Sequence, residues 1–210
     1  MENNRKRRVQ LYTKAGIFVM IILTVILGGR QITKKKFLND TSIEKNTPEI
    51  NVQLLTINNY SRPGIAIKEV NNIVIHYTAN PGSTAIQNRN YFEGLKDSHK
   101  TKASSHFIIS LDGEIVQCIP TWEEAYASNN RNLDTISIEC CHPDKSGKFT
   151  KETYSSMVNL TAWLCEKFDL KETDVIRHYD VTGKNCPKYF VENEKAWEQF
   201  RKDIKNALGG

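Results

Sequence analysis

Residues 73–78 read Ile73-Val74-Ile75-His76-Tyr77-Thr78, a run of β-branched apolar residues that ends in a histidine. A short apolar run of this kind is typical of a buried β-strand, predicted here from Asn72 to His76. Four further runs of similar character follow, at residues 106–110, 114–119, 135–139 and 174–178. The first two of these are joined through Asp112-Gly113, a strong signal for a β-hairpin. The sequence therefore predicts a β-sheet that contains one antiparallel hairpin.

Helices are predicted between and after these strands, at about residues 84–95, 151–168 and 192–207. Ser83 is the predicted N-cap of the first helix and Thr150 that of the second. The second helix repeats apolar residues at the i, i+3, i+4, i+7 spacing of a face that packs on a core; the residues are Tyr154, Met157, Val158, Thr161, Leu164 and Phe168. The alternation of strands and helices predicts one α/β domain, large enough for a core of its own.

Residues 177–187, Arg-His-Tyr-Asp-Val-Thr-Gly-Lys-Asn-Cys-Pro, carry an imidazole, an ammonium and a thiol within nine positions. Imidazole and thiolate both suit zinc, and the loop from His178 to Cys186 can return the chain to the same ion. His76, at the end of its strand, is a possible third ligand, although a histidine there is more often a structural residue. Three protein ligands with one open position is the arrangement of a catalytic zinc.

The sequence resembles the zinc-dependent type 2 N-acetylmuramoyl-L-alanine amidases, which share a fold with the peptidoglycan recognition proteins. His76 in Ile-Val-Ile-His-Tyr-Thr, Glu139 in Ile-Ser-Ile-Glu-Cys, and His178 with Lys184 and Cys186 carry the resemblance, which covers about residues 60–190. It implies an α/β fold with a central mixed β-sheet flanked by helices. It also implies hydrolysis of the amide bond between N-acetylmuramic acid and L-alanine in peptidoglycan.

The resemblance further implies a Zn²⁺ ion held by His76, His178 and Cys186. Glu139 matches the family's catalytic glutamate, and alternation along its strand places it on the face opposite Ile136 and Ile138. Lys184 matches the lysine that stabilises the transition state. A muropeptide-binding module of the same fold, without hydrolysis, is the alternative function. Peptidoglycan is the expected substrate, and we expect a monomer.

Other residues near these motifs have more than one interpretation. Residues 124–128 lack the histidine that many relatives carry there, and His106 is expected to be packed rather than a ligand. The adjacent Cys140 and Cys141 should point to opposite faces and not share an ion. Asp180 is expected either to orient a ligating histidine or to cap a turn. The cysteines other than Cys186 are expected as buried free thiols.

Charge is concentrated at the N-terminus. Residues 1–36 carry nine Lys or Arg and one acid, a net charge of +8; since the whole chain is +5, the remaining residues sum to −3. The basic balance therefore belongs to the tail, and we expect no nucleic-acid partner, because such proteins carry a basic face on the folded domain.

The N-terminal segments are assigned by hydropathy. Residues 1–14 are predicted to be a basic cytoplasmic N-terminus, 15–29 a transmembrane anchor or signal segment, 30–52 a polar linker and 53–210 the catalytic domain. The fifteen uncharged residues 15–29 span roughly 22 Å as a helix, against about 30 Å of hydrocarbon core. The predicted location is the cell membrane, single-pass, with the catalytic domain facing the cell wall and the anchor contacting the cytoplasmic membrane. A secreted protein with a cleaved signal is the alternative.

Overall fold

The computed structural model describes residues 47–209. Its strands are β1 Asn51–Val52, β2 Asn72–Tyr77, β3 Phe107–Ile109, β4 Ile115–Gln117, β5 Thr135–Cys140 and β6 Val175–Arg177. They form one sheet in the order β1-β4-β3-β5-β2-β6. Only the β3–β4 hairpin is antiparallel among these pairs. The predicted α/β fold with a central mixed sheet is confirmed.

The helices are α1 Ala85–Ser98, α2 Lys151–Phe168, α3 His178–Thr182, α4 Lys188–Glu192 and α5 Glu194–Leu208, with 3₁₀ turns at Asn129–Arg131 and Glu172–Asp174. The bounds predicted for α2 are those observed, and its N-cap is Thr150. The cap of α1 is Thr84, in a capping box with Gln87, and not the predicted Ser83. Ser83 instead donates its hydroxyl to the carbonyl of Asn80. The third predicted helix corresponds to α5, and the short helix α4, which ends at Glu192 before it, was not predicted.

Alternation along the strands divides the core into two layers. On one face, apolar residues of β2, β3 and β5 pack against α2 and α5; they include Ile73, Ile75, Phe107, Ile109, Ile136, Ile138, Met157, Leu164, Trp197 and Phe200. On the other face, Ile108 and Val116 pack with Phe92 and Leu95 of α1. Burial on both faces explains why the strands read as nearly continuous apolar runs.

The cysteines follow the same division. Cys140 belongs to the core layer beneath α2 and α5, whereas its neighbour Cys141 belongs to the layer beneath α1. All five cysteines are buried and none forms a disulfide. The pair therefore does not form a shared metal site, because successive side chains of an extended segment point to opposite faces.

The hairpin between β3 and β4 depends on a glycine. Gly113 has φ +88°, and a Cβ built there would lie 2.9 Å from Ser156 Oγ and 3.1 Å from the Glu152 carbonyl oxygen of α2. Ser156 Oγ donates to the Gly113 carbonyl at 2.7 Å. The turn and the helix thus approach closely because this residue has no side chain.

The start of the domain differs in detail from the predicted boundary. Asn51 and Val52, the last residues of the predicted linker, form β1 and pair with β4 at the edge of the sheet. Their side chains lacked a pattern long enough to predict a strand. The predicted segments 1–14 and 15–29, and the linker up to residue 46, lie outside the described residues.

The prediction of a single-pass protein in the cell membrane is wrong. Among residues 47–209, no helix combines the length and apolar character needed to cross a bilayer. The prediction relied on residues 15–29, which as a helix span less than the hydrocarbon thickness of about 30 Å.

Candidate functional site

The pairing of β2 with β5 places two of the predicted site residues side by side. In this parallel register His76 is opposite Glu139, each near the C-terminal end of its strand. Both side chains project from the face opposite Ile75 and Ile138. The C-terminal edge of a parallel sheet is where α/β folds usually bind ligands.

His178 and Cys186 reach the same place from the adjacent strand. β6 pairs with β2, and His178 is the first residue of α3, directly after β6. The helix ends at Gly183, whose φ of +75° allows the chain to turn back. The Tyr179 backbone N–H then donates to the Cys186 carbonyl at 2.8 Å, which closes the loop.

The ligand atoms of His76, His178 and Cys186 all lie within 4.8 Å of one another, and all three residues are buried. The Cys186 Sγ to His76 Nδ1 distance is 3.8 Å. The two imidazole ring centroids are 4.6 Å apart. A tetrahedral zinc, with bonds of about 2.0–2.3 Å, sets its ligand atoms roughly 3.3–3.6 Å apart. Small side-chain adjustments would therefore bring the three atoms to one ion.

The electrostatics of this cluster also suit a cation. Burial, followed by the proximity of His178 and Lys184, holds the pKa of His76 well below its ordinary value. Burial likewise lowers the pKa of His178, and both shifts favour the neutral imidazole, the form that binds metals. Burial, assisted by Glu139, raises the pKa of the Cys186 thiol to about 12. A thiolate there requires a positive charge beside it, which a metal ion would supply.

Glu139 lies next to the cluster. Burial raises the pKa of its carboxyl to about 8, and the positive charge of Lys184 opposes that rise. Its Oε2 is shielded from solvent and has no hydrogen-bond partner among the described residues. A carboxyl with a free oxygen and a pKa near neutrality can both accept and release a proton.

A cleft of about 420 Å³ opens over these groups. Its lining includes all five predicted site residues: His76, Glu139, His178, Lys184 and Cys186. Lys184 is exposed at its rim. Lys102 also lines the cleft, and its ammonium lies 5.2 Å from the ring centroid of Tyr126. The cleft therefore holds three potential ligands, one carboxyl and two cations.

The comparison with protein families agrees with this geometry. A family model described as N-acetylmuramoyl-L-alanine amidase, Amidase_2, matches residues 67–189, which is more than half of the chain and includes the five predicted site residues.

The chain belongs to this N-acetylmuramoyl-L-alanine amidase family.

Proteins similar in sequence include N-acetylmuramoyl-L-alanine amidases from Bacillus. The N-acetylmuramoyl-L-alanine amidase CwlL of Bacillus licheniformis is 37% identical over 166 residues, covering 73% of this chain and 46% of the relative. BlyA of Bacillus subtilis (strain 168), an N-acetylmuramoyl-L-alanine amidase, is 32% identical over 177 residues, with 74% and 47% covered. The chain thus spans about half the length of the curated relatives it matches.

Solved structures share the amidase fold. PlyL superposes with a TM-score of 0.65 at 24% identity, covering 75% of this chain and 98% of PlyL. A mutant endolysin from Bacillus subtilis gives a TM-score of 0.64 at 26% identity, with 75% and 99% covered. The endolysin among these relatives is a second finding against the predicted single-pass membrane location.

The structure also decides the residues that had two interpretations. The hydrogen bonds of the Asp180 carboxylate are to Arg177: it accepts from the Arg177 backbone N–H at 2.8 Å and pairs with the Arg177 guanidinium at 2.9 Å. His106 is buried away from the cluster, with Nε2 2.8 Å from the Glu123 carbonyl oxygen. Tyr126 lies on the cleft wall within the segment that lacks the relatives' histidine.

One residue of the site was missed by sequence reasoning. Asn129 lines the cleft, and its Oδ1 lies 3.1 Å from His178 Nε2. It is 49 residues from His178 in the chain. An asparagine in a polar loop carries no signal that distinguishes it from its neighbour Asn130.

Proposed function

We propose that this chain hydrolyses the amide bond between N-acetylmuramic acid and L-alanine in peptidoglycan, with Zn²⁺ held by His76, His178 and Cys186. The observation that carries the proposal is the convergence of these three buried side chains beside Glu139 in one cleft. Membership of the amidase family supports the choice of substrate.

The donor set suits zinc better than a harder metal. Two imidazoles and a thiolate are nitrogen and sulfur ligands, whereas magnesium and calcium prefer oxygen. Three protein ligands leave one position open. Bound zinc would polarise the scissile carbonyl and acidify a water molecule to a pKa near 7.

Glu139 is the proposed general base and acid. Its unpaired Oε2 accepts a proton from the attacking water as the oxygen adds to the carbonyl carbon. The carboxyl then returns that proton to the departing nitrogen as the C–N bond breaks. The products are a muramic acid lactyl carboxylate and a peptide with a free L-alanine amine, so one water is consumed.

Lys184 is the proposed stabiliser of the transition state. Its charge already acts on Glu139 and on all three proposed ligands. An ammonium at the cleft rim can therefore stabilise the oxyanion that forms at the carbonyl oxygen. Such interactions contribute a few kcal/mol where water is excluded.

The test of this proposal identifies which bond of peptidoglycan is broken. The zinc-loaded chain is incubated with purified cell wall, and new L-alanine amines are labelled and identified by mass spectrometry. We expect amine release that stops with a chelator and returns with zinc. Cys186→Ser should lose zinc and activity together while keeping the fold, because a neutral hydroxyl replaces a thiolate poorly.

The muropeptide-binding module is a defined outcome of the same experiment. Zinc-loaded chain that retains muropeptides without releasing any amine would reject hydrolysis. Full activity of Cys186→Ser would reject the proposed ligand set.

A further inference from the structure

His178 makes one hydrogen bond through its ring, and Asn129 is the partner. The Nε2 to Oδ1 distance is 3.1 Å. An amide oxygen can only accept, so the imidazole donates and its proton sits on Nε2. The lone pair of a neutral ring is then on Nδ1.

The turn that carries Asn129 is tied to the sheet on both sides. Arg131 donates to the Asp134 carboxylate at 2.7 Å and to Asn72 Oδ1 at 2.6 Å, at the start of β2. Thr135, the first residue of β5, donates its hydroxyl to the Arg131 carbonyl at 2.7 Å. The turn is thereby held to the two strands that carry His76 and Glu139.

Asn129 itself adopts a left-handed conformation, with φ +56°. Asparagine tolerates this region better than other residues that carry a side chain, and glycine accepts it freely. The conformation and the anchored turn direct the amide into the cleft. Because Asn129 is exposed there, water competes for the imidazole, and the anchoring keeps the amide in place.

We propose that Asn129 is a positioning residue that fixes the tautomer and ring orientation of His178, so that Nδ1 faces the metal. This inference rests on the proposed zinc site. Metal-binding histidines generally need a partner for the second ring nitrogen. Asp180, the acid nearest in sequence, is engaged by Arg177. His76 Nε2 has no hydrogen-bond partner among residues 47–209. Of the two proposed histidine ligands, His178 is therefore the one whose ring is oriented by a hydrogen bond, and Asn129 makes it.

Three variants isolate the amide. Asn129→Gly removes the acceptor and suits the positive φ. Asn129→Asp keeps an acceptor at the same place. Asn130→Gly is the matched control, since Asn130 is the next residue of the same turn and is also exposed to solvent.

The first readout is zinc affinity, measured by competition with a chromophoric chelator. We expect Asn129→Gly to bind zinc at least about 10-fold more weakly than the wild type, as is typical when such a partner is removed. Asn129→Asp should restore the affinity, and Asn130→Gly should leave it unchanged. Equal affinity of Asn129→Gly and wild type would overturn the inference, as would equal weakening by Asn130→Gly.

The second readout needs neither zinc nor activity. Long-range ¹H–¹⁵N spectra of the zinc-free protein report the tautomer of each histidine. We expect His178 protonated at Nε2 in the wild type and a mixture of tautomers in Asn129→Gly. Protonation at Nδ1 in the wild type would overturn the inference. A wild type that binds no zinc would instead reject the proposed function, so the two failures are distinguishable.

Discussion

At the residue scale, hydrogen-bond partners distinguish the roles of two buried histidines on the cleft side of the sheet, His106 and His76. His106 has both ring nitrogens occupied: Nε2 faces the Glu123 carbonyl at 2.8 Å, and Nδ1 accepts from the Ser137 backbone N–H at 3.0 Å. Among the described residues, His76 has no partner for Nε2 and a thiol 3.8 Å from Nδ1. The first is satisfied as a structural residue, while the second has a nitrogen available to a metal.

Glu139→Gln should separate metal binding from turnover. The amide keeps the size of the side chain but cannot accept the proton from water. We expect unchanged zinc stoichiometry and a kcat lower by about 100-fold or more. Metal analysis and initial rates of amine release measure the two effects, with exposed Glu152→Gln as control. Turnover near the wild-type level would remove Glu139 from its proposed role.

Lys184→Met should have two effects of opposite sign. The ammonium disfavours positive charge at His76 and His178, so its loss should tighten zinc binding. The oxyanion loses its stabilising charge, so kcat should fall by roughly 100-fold. Chelator competition and steady-state kinetics give the two numbers, and Lys195→Met on α5 is the control. Parallel losses of zinc and activity would point to a structural role.

At the element scale, the parallel pairing of β2 with β5 and β6 assembles the site, and the elements around it hold this pairing in place. α1 covers the cleft face, while α2 and α5 cover the other. Two glycines, one inside α1 and one in the β3–β4 turn, differ in the space that a side chain would find. Gly94 lies inside α1, where an added Cβ would have no atom within 4 Å, whereas a Cβ on Gly113 would meet α2.

Substituting alanine at the two glycines should change stability in opposite directions. Gly94→Ala should raise the free energy of unfolding by about 0.5–1 kcal/mol, since the helix interior loses a flexible residue. Gly113→Ala should lower it, because φ is +88° and the new Cβ would meet Ser156 and Glu152. Urea denaturation of both variants beside the wild type measures this. A stabilised Gly113→Ala would contradict the described approach of turn and helix.

At the scale of the whole molecule, buried neutral imidazoles make stability depend on pH. Burial lowers the pKa of His106 from 6.5 to about 4. Between these values the unfolded chain binds a proton that the folded chain does not. The contribution of His106 to stability is therefore complete above pH 6.5, falls as the pH is lowered towards 4, and levels off below that.

In the zinc-free protein, proton binding linked to His106 should lower the free energy of unfolding by about 3 kcal/mol across that window, at about 1.4 kcal/mol per pH unit. His76 and His178 shift in the same direction and add to the loss, whereas the raised pKa of Glu139 opposes it between about pH 8 and 4.5. Urea denaturation at several pH values, with chelator present, gives the slope. His106→Gln should flatten it, while His99→Gln controls for loss of a surface histidine. Titration of His106 by NMR near its ordinary value would contradict the expectation.

The sequence by itself determined the elements and the kinds of chemistry. Periodicity is a local property, so the β2 run, the Asp112-Gly113 hairpin and the Thr150 cap of α2 were readable without tertiary information. The chemistry of imidazole, thiol and carboxyl groups likewise belongs to each residue and needs no neighbour.

Only the tertiary structure decided which of these groups meet. His76 and Cys186 are 110 residues apart in the chain, and parallel strand pairing brings them to 3.8 Å. Asp180 was expected to orient a histidine or to cap a turn; it pairs with Arg177, and the partner of the His178 ring is Asn129, 49 residues away in the chain. Contacts of this kind depend on competition between partners in three dimensions, which local sequence does not encode.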